Sequence, residues 1–160
     1  MPDKKQGSKS KLRDQPVTLF REAWVWSQKE TMLLKKLCVG FTLHLCCGRS
    51  KFGDVRIDIQ HRPDIKADIH YLPLKSQTFD TTIIDPPWYG PQTWPRFEQM
   101  IKELTRVTKR RIIIILGNLI YLLPKPWTLT KIYILKKISP QIKHVYLWEK
   151  KDRLITEFIN

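Results

Sequence analysis

Met32, Leu33, Leu34 and Leu37 form an apolar stripe at helical spacing, and Ser27 with Glu30 three positions on has the spacing of a capping box. Gly40 stops the stripe, so the pattern predicts one helix before the first strand. Residues 41–46 are apolar and run into a loop containing Gly48, as a buried strand feeding a ligand loop would. Two short strands follow at 55–59 and 81–84, the second β-branched throughout, and they bring Asp58 and Asp85 to strand ends. Beyond a loop rich in Pro and Trp, Phe97, Met100, Ile101, Leu104 and Val107 keep helical spacing, and 111–116 returns to an apolar strand. Finally, 131–137 and 143–148 flank Ser139-Pro140-Gln141 and predict an antiparallel hairpin.

Strands alternating with helices predict an α/β sheet covered on its faces, with ligands at the carboxyl ends of the strands near the topological switch point. The polar residues just named fall at those ends. A chain of 160 residues buries one core, so one domain is expected over 16–160, without a separate recognition domain. Residues 1–15 are polar, lysine-rich and aperiodic, and read as a disordered basic arm. The longest apolar stretch, from Ile112 towards Leu123, is broken by Gly117 and Asn118, so no membrane span is expected. The first residues, with Lys4, Lys5 and Lys9, lack the apolar core of a signal peptide, and the expected compartment is the cytoplasm.

Cys38, Cys46 and Cys47 make an odd count, and the adjacent pair lies along a predicted strand, pointing to opposite faces. A disulfide framework is not expected. None of His44, His61, His70 or His144 pairs with these thiols at zinc spacing, so no metal site is expected either. Charge adds a partner: 29 Lys and Arg against 15 Asp and Glu leave +14, which favours a polyanion, nucleic acid first.

The segment Asp85-Pro86-Pro87-Trp88 resembles the catalytic tetrapeptide of amino-methyltransferases acting on adenine N6 or cytosine N4, within the class I S-adenosylmethionine methyltransferases of Rossmann-like fold. The resemblance runs over about 41–150. It implies a mostly parallel sheet closed by the antiparallel hairpin, and S-adenosylmethionine as cofactor. An exocyclic amino nitrogen is a poor nucleophile because its lone pair is delocalised into the ring. The resemblance has Asp85 and the Pro86 carbonyl accept its two hydrogens and aim the lone pair at the methyl group, while Trp88 stacks on the base. Two prolines stiffen that loop. Trp94 and Arg96, beside it, join Trp88 as candidate substrate contacts, and Trp26 is another tryptophan near an element end.

By the same resemblance, Cys47 and Gly48 lie in the loop beneath the methionine part of the cofactor, Asp58 accepts from the ribose hydroxyls, and Asp68 with Ile69 reads the adenine ring. His44 stands where the family usually has an acid, and Ser50 where it has a second glycine. Only 49–54 separate the first two strands, fewer residues than a parallel crossover normally takes. Either the usual first helix is reduced to a turn, with Arg49 and Lys51 bordering the pocket, or the pair is an antiparallel hairpin. DNA is favoured over RNA as substrate, and a homodimer is allowed. RNA or a protein glutamine are the alternative substrates, and a non-catalytic nucleic-acid-binding protein on a degenerate scaffold is the alternative to an enzyme.

Overall fold

The computed structural model describes residues 26–86, 94–117, 122–136 and 142–151; the basic arm, Pro87, Trp88, the side chain of Trp94 and the Ser139-Pro140-Gln141 turn lie outside them. Helix α1 (Gln28–Leu37) opens on the expected capping box: Ser27 Oγ accepts from the Glu30 amide at 3.3 Å, and Glu30 accepts from the Ser27 amide at 2.6 Å. Two amides that a helix start leaves without partners are thereby satisfied. The chain leaves the helix through Gly40, whose φ is +57°. A Cβ there would lie 2.8 Å from Asp80 Cβ, and Asp80 itself accepts from the Phe41 amide at 2.9 Å. Gly40→Ala therefore combines a left-handed backbone with a clash on a fixed side chain. A loss of about 2 kcal/mol or more in urea unfolding is expected; an unchanged midpoint would show that the turn relaxes at no cost.

The strands are β1 (Thr42–Leu45), β2 (Val55–Asp58), β3 (Ile65–Lys66), β4 (Phe79–Ile84), β5 (Thr108–Leu116), β6 (Trp127–Lys136) and β7 (Ile142–Lys150), with helix α2 (Trp94–Val107) between β4 and β5. They form one sheet in the order β3-β2-β1-β4-β5-β7-β6. Strands β3, β2, β1, β4 and β5 are parallel, while β7 runs antiparallel between β5 and β6. The hairpin is present, longer than its pattern suggested because its first strand begins at Trp127. β3 was not foreseen, since two residues carry no periodicity.

Leu43 pairs with Val55 and Leu45 with Ile57 in parallel register, which excludes the antiparallel alternative for β1 and β2. The vicinal cysteines are a correction. β1 ends at Leu45, and Cys46 takes φ +53°, so the pair belongs to the turn beyond the strand rather than to its two faces.

Alternation along β5 divides the core. Ile112 and Ile114 pack with Phe97, Met100, Ile101, Leu104 and Val107 of α2, whereas Ile113 and Ile115 pack with Leu34 and Leu37 of α1. One helix thus covers each face of the sheet in the described chain. Each fully buried aliphatic side chain contributes roughly 1.5–3 kcal/mol. These two layers hold the carboxyl ends of β1, β2 and β4 at a fixed edge, with β1 between its two neighbours.

Candidate functional site

At that edge the chain leaves β1 through Cys46, Cys47 and Gly48, the last with φ +53°. The Gly48 amide donates to Asp58 Oδ2 at 2.9 Å, tying the first loop to the end of β2. Asp58 Oδ1 accepts from the Gln60 amide at 2.8 Å, the His61 amide at 3.3 Å and the His61 ring at 3.2 Å. Burial pushes this carboxyl up, but the donors from Gln60, Gly48 and His61 outweigh it and hold Asp58 below its ordinary range.

Asp68 lies in the next loop, where its Oδ1 accepts from the His70 amide at 3.0 Å and from the His70 ring. The His70 amide is the main reason its carboxyl also sits below the usual range. Arg96 Nη2 stands 3.8 Å from Asp68 Oδ2, and Gln99 Nε2 donates to the His70 carbonyl at 3.0 Å, so α2 braces this loop. Ile69 beside it is buried. Cys46 lies among the acids: burial raises its thiol strongly, and the charges of Asp58, Asp85 and Asp68 raise it further. Burial and Asp58 push the Cys47 thiol up to about 11. Both remain thiols at neutral pH and offer no nucleophile.

Asp85 follows β4, and Pro86 after it is buried. Asp85 Oδ2 accepts from Lys143 Nζ at 2.7 Å and from Trp26 Nε1 at 3.4 Å. Neither partner was expected. Lys143 reaches the site because β7 returns beside β5, a placement that depends on pairing remote in sequence, and Trp26 arrives from the segment preceding α1. Trp88 and the side chain of Trp94 lie outside the described residues. Arg96 is placed against Asp68.

Residues 48–54 form a strap over β1 where a crossover helix would stand. The buried His44 ring donates from Nδ1 to the Phe52 carbonyl at 3.0 Å, since a carbonyl can only accept. Ser50 Oγ accepts from the Phe52 amide at 3.2 Å, and the Asp54 amide donates to the Thr42 carbonyl at 2.9 Å. Gly53, at φ +95°, lets the strap lie close: a Cβ there would be 3.0 Å from His44 Cβ. Trp26 stacks on the His44 ring at 4.6 Å and meets Phe52 edge-on. The two motif departures, His44 and Ser50, are thus the residues that hold the shortened crossover.

Solved structures with the same arrangement include the PH0226 protein of Pyrococcus horikoshii, 17% identical over 76% of this chain and 87% of that one, with a TM-score of 0.55. Magnesium protoporphyrin IX methyltransferase of Synechocystis, solved with bound S-adenosylmethionine, is 12% identical over 76% of this chain and 74% of that one, at 0.51. The fold is the Rossmann-like fold of class I methyltransferases. TrmN of Thermus thermophilus matches with a TM-score of 0.51 and 12% identity over 77% of this chain, which spans 48% of TrmN. No protein-family model matches the chain, and no curated protein matches it significantly.

The edge suits the cofactor expected there. A Cβ at Gly48 would meet nothing within 4 Å, so the backbone borders open space at the place where a methionine moiety would lie. Asp58 and Asp68 both lie close enough for their charges to act on Cys46, and their carboxylates suit hydroxyl and amino donors respectively. Among the described residues no group of three or more His, Cys, Asp or Glu is arranged to hold a metal ion. No helix among them is long and apolar enough to cross a membrane.

Proposed function

We propose that this protein is an S-adenosylmethionine-dependent methyltransferase acting on an exocyclic amino nitrogen of a nucleic-acid base, with adenine N6 in DNA as the first candidate. The observation that carries the reading is Asp85, placed directly after the strand beside β1, on the edge that also gathers Gly48, Asp58 and Asp68. When bound, the cofactor supplies an electrophilic methyl group. Gly48 and Cys47 would pass beneath its methionine part, Asp58 would accept from its ribose and Asp68 with Ile69 would read its adenine.

The protein's own work lies in holding the amino group. Lys143 and Trp26 both donate to Asp85 Oδ2, which fixes the carboxylate's rotation. Oδ1 is then the oxygen that accepts from the substrate amino group, and the Pro86 carbonyl is the second acceptor. Together they draw the nitrogen towards a tetrahedral geometry and orient its lone pair. Trp88, three residues on from Asp85, provides the stacking face. The +14 charge supports a nucleic-acid substrate.

The ion pair with Lys143 also favours a second reading, a non-catalytic nucleic-acid-binding protein in which Asp85 serves the fold. Transfer of a labelled methyl group to DNA, RNA and protein pools separates the two, and label in DNA amino groups is the expected result. Label confined to RNA or protein would move the substrate, and no label in any pool would leave the non-catalytic reading. Calorimetry with S-adenosylhomocysteine should show one site per chain, weakened by Asp58→Ala about tenfold or more, as expected for hydrogen bonds to a charged group. Unchanged affinity would remove Asp58 from the cofactor site.

A further inference from the structure

Away from Asp85, at the edge where β4, β5 and β6 begin and β7 ends, the chain gathers Lys75, Lys109, Arg110, Lys125, Lys150 and Lys151. Gln77 joins them: its side chain donates to the Thr108 carbonyl at 2.8 Å and accepts from Lys150 Nζ at 3.1 Å, while Thr78 Oγ1 donates to the Lys75 carbonyl at 2.8 Å. The Lys151 amide donates to the Pro126 carbonyl at 3.2 Å, which brings Lys125 alongside. All of these cations are exposed except Lys150, which is half-buried.

Gathered like charges repel one another, and the acids near these are engaged elsewhere. Asp80 accepts from the Phe41 amide at 2.9 Å, Glu149 from Arg111 at 2.8 Å and Glu103 from Arg106 at 2.7 Å. Among the described residues, none of the six cations forms an ion pair with a carboxylate. Strand β5 also breaks its alternation here. Thr108 pairs with Phe79 and Arg111 with Thr81, so Lys109 and Arg110 together oppose the single residue Asp80. A bulge of this kind re-aims side chains, and it leaves two consecutive cations in solvent where regular alternation would send them to opposite faces.

Neighbouring strands stand about 4.8 Å apart, so the cations form a row, and a row of fixed charge suits a partner whose own charges are closely and regularly spaced. Duplex DNA carries one charge per roughly 1.7 Å of its axis. A single strand would call for aromatic side chains to stack its bases. None of the six is aromatic, Trp127 is buried, and Phe41, towards β1, is stacked on Phe79. A protein partner would call for an apolar centre, whereas Ser76 and Gln77 are the exposed residues that follow Lys75. We infer that this edge holds the phosphate backbone of duplex DNA. The parallel strands carry Asp58 and Asp85 to the other end of the sheet, so a duplex seated here is not the stretch whose base reaches Asp85. The inference goes beyond the proposed function and requires no methyl transfer.

The experiment follows a labelled duplex oligonucleotide by anisotropy across a salt series. It compares Lys109→Gln/Arg110→Gln with Lys29→Gln/Lys66→Gln, which removes the same charge from exposed positions near the catalytic edge: Lys29 opens α1 just after Trp26, and Lys66 ends β3. The first variant should bind about tenfold more weakly at low salt, and its log–log salt slope should shrink by about 1.8 for two lost phosphate contacts. The second should stay within about threefold of the parent. Equal weakening of both would mean diffuse attraction and overturn the inference, as would weakening of the second alone. Patch-dependent binding of polyglutamate but not of the duplex would assign the edge to an acidic protein and overturn it too. Thermal unfolding checks the variants; should Lys109→Gln/Arg110→Gln not fold, Lys75→Gln/Lys151→Gln, at positions outside the strands, carries the same expectation.

Discussion

Asp85→Asn lowers methyl transfer by about 10²–10³-fold while leaving S-adenosylhomocysteine affinity within about twofold, if the carboxylate holds the substrate amino group as proposed. Asparagine is the better test than alanine for a structural reason. Lys143 and Trp26 both donate to Asp85 Oδ2. Asparagine still offers one carbonyl oxygen to them, but its amide would turn a donor towards the substrate amino group. Alanine would leave the Lys143 ammonium, whose side chain is only 13% exposed, without this partner. Taking this partner from a mostly buried charge destabilises the fold, so a loss of activity in Asp85→Ala would mix two causes. Adding Lys143→Met to Asp85→Ala removes that charge as well, and should not recover transfer. A folded Asp85→Asn protein that methylates at the parental rate would assign the carboxylate to the fold.

The periodic segments were legible because local chemistry and tertiary role agree in them. Ser27 and Glu30 start α1 where their spacing says, and the stripe from Phe97 to Val107 is the face that α2 buries. Asp58 and Asp85 could be placed at strand ends because each follows a short β-rich run closed by loop residues. What could not be read were contacts made by chain reversal. Lys143 meets Asp85 across 58 residues, and Trp26 meets it across 59. Neither position carries a mark of its own. The strap is an intermediate case: its length was visible as a shortage of residues, but only the His44–Phe52 and Ser50–Phe52 bonds show how the shortage is accommodated. Arg96, a candidate substrate contact, also stands 3.8 Å from Asp68, a second contact that its place beside the loop did not announce.

His44 should make the protein lose stability on mild acidification. The ring is 1% exposed, donates to Phe52 and lies under Trp26. Burial pushes its pKa down from 6.5 to about 4, with the Phe52 carbonyl opposing the shift. The unfolded chain therefore binds this proton more readily than the folded one. The contribution of His44 is fully present above pH 6.5 and is lost progressively as pH falls towards 4, by about 3 kcal/mol in all. Asp58, Asp64, Asp68 and Glu103 are held below their ordinary values of 3.8 to 4.5, so their contributions fade only at lower pH. Comparison with a variant lacking the ring isolates His44 in the interval between pH 6.5 and 4.5. Urea unfolding in that interval should show a steeper fall for the parent than for His44→Asn, whose amide can still donate to Phe52 but cannot take up a proton. Parallel profiles would mean that the ring titrates near its ordinary value and that the strap tolerates its charge. Because the same strap begins at Gly48, affinity for S-adenosylhomocysteine should decline over the same interval in the parent and hold in the variant.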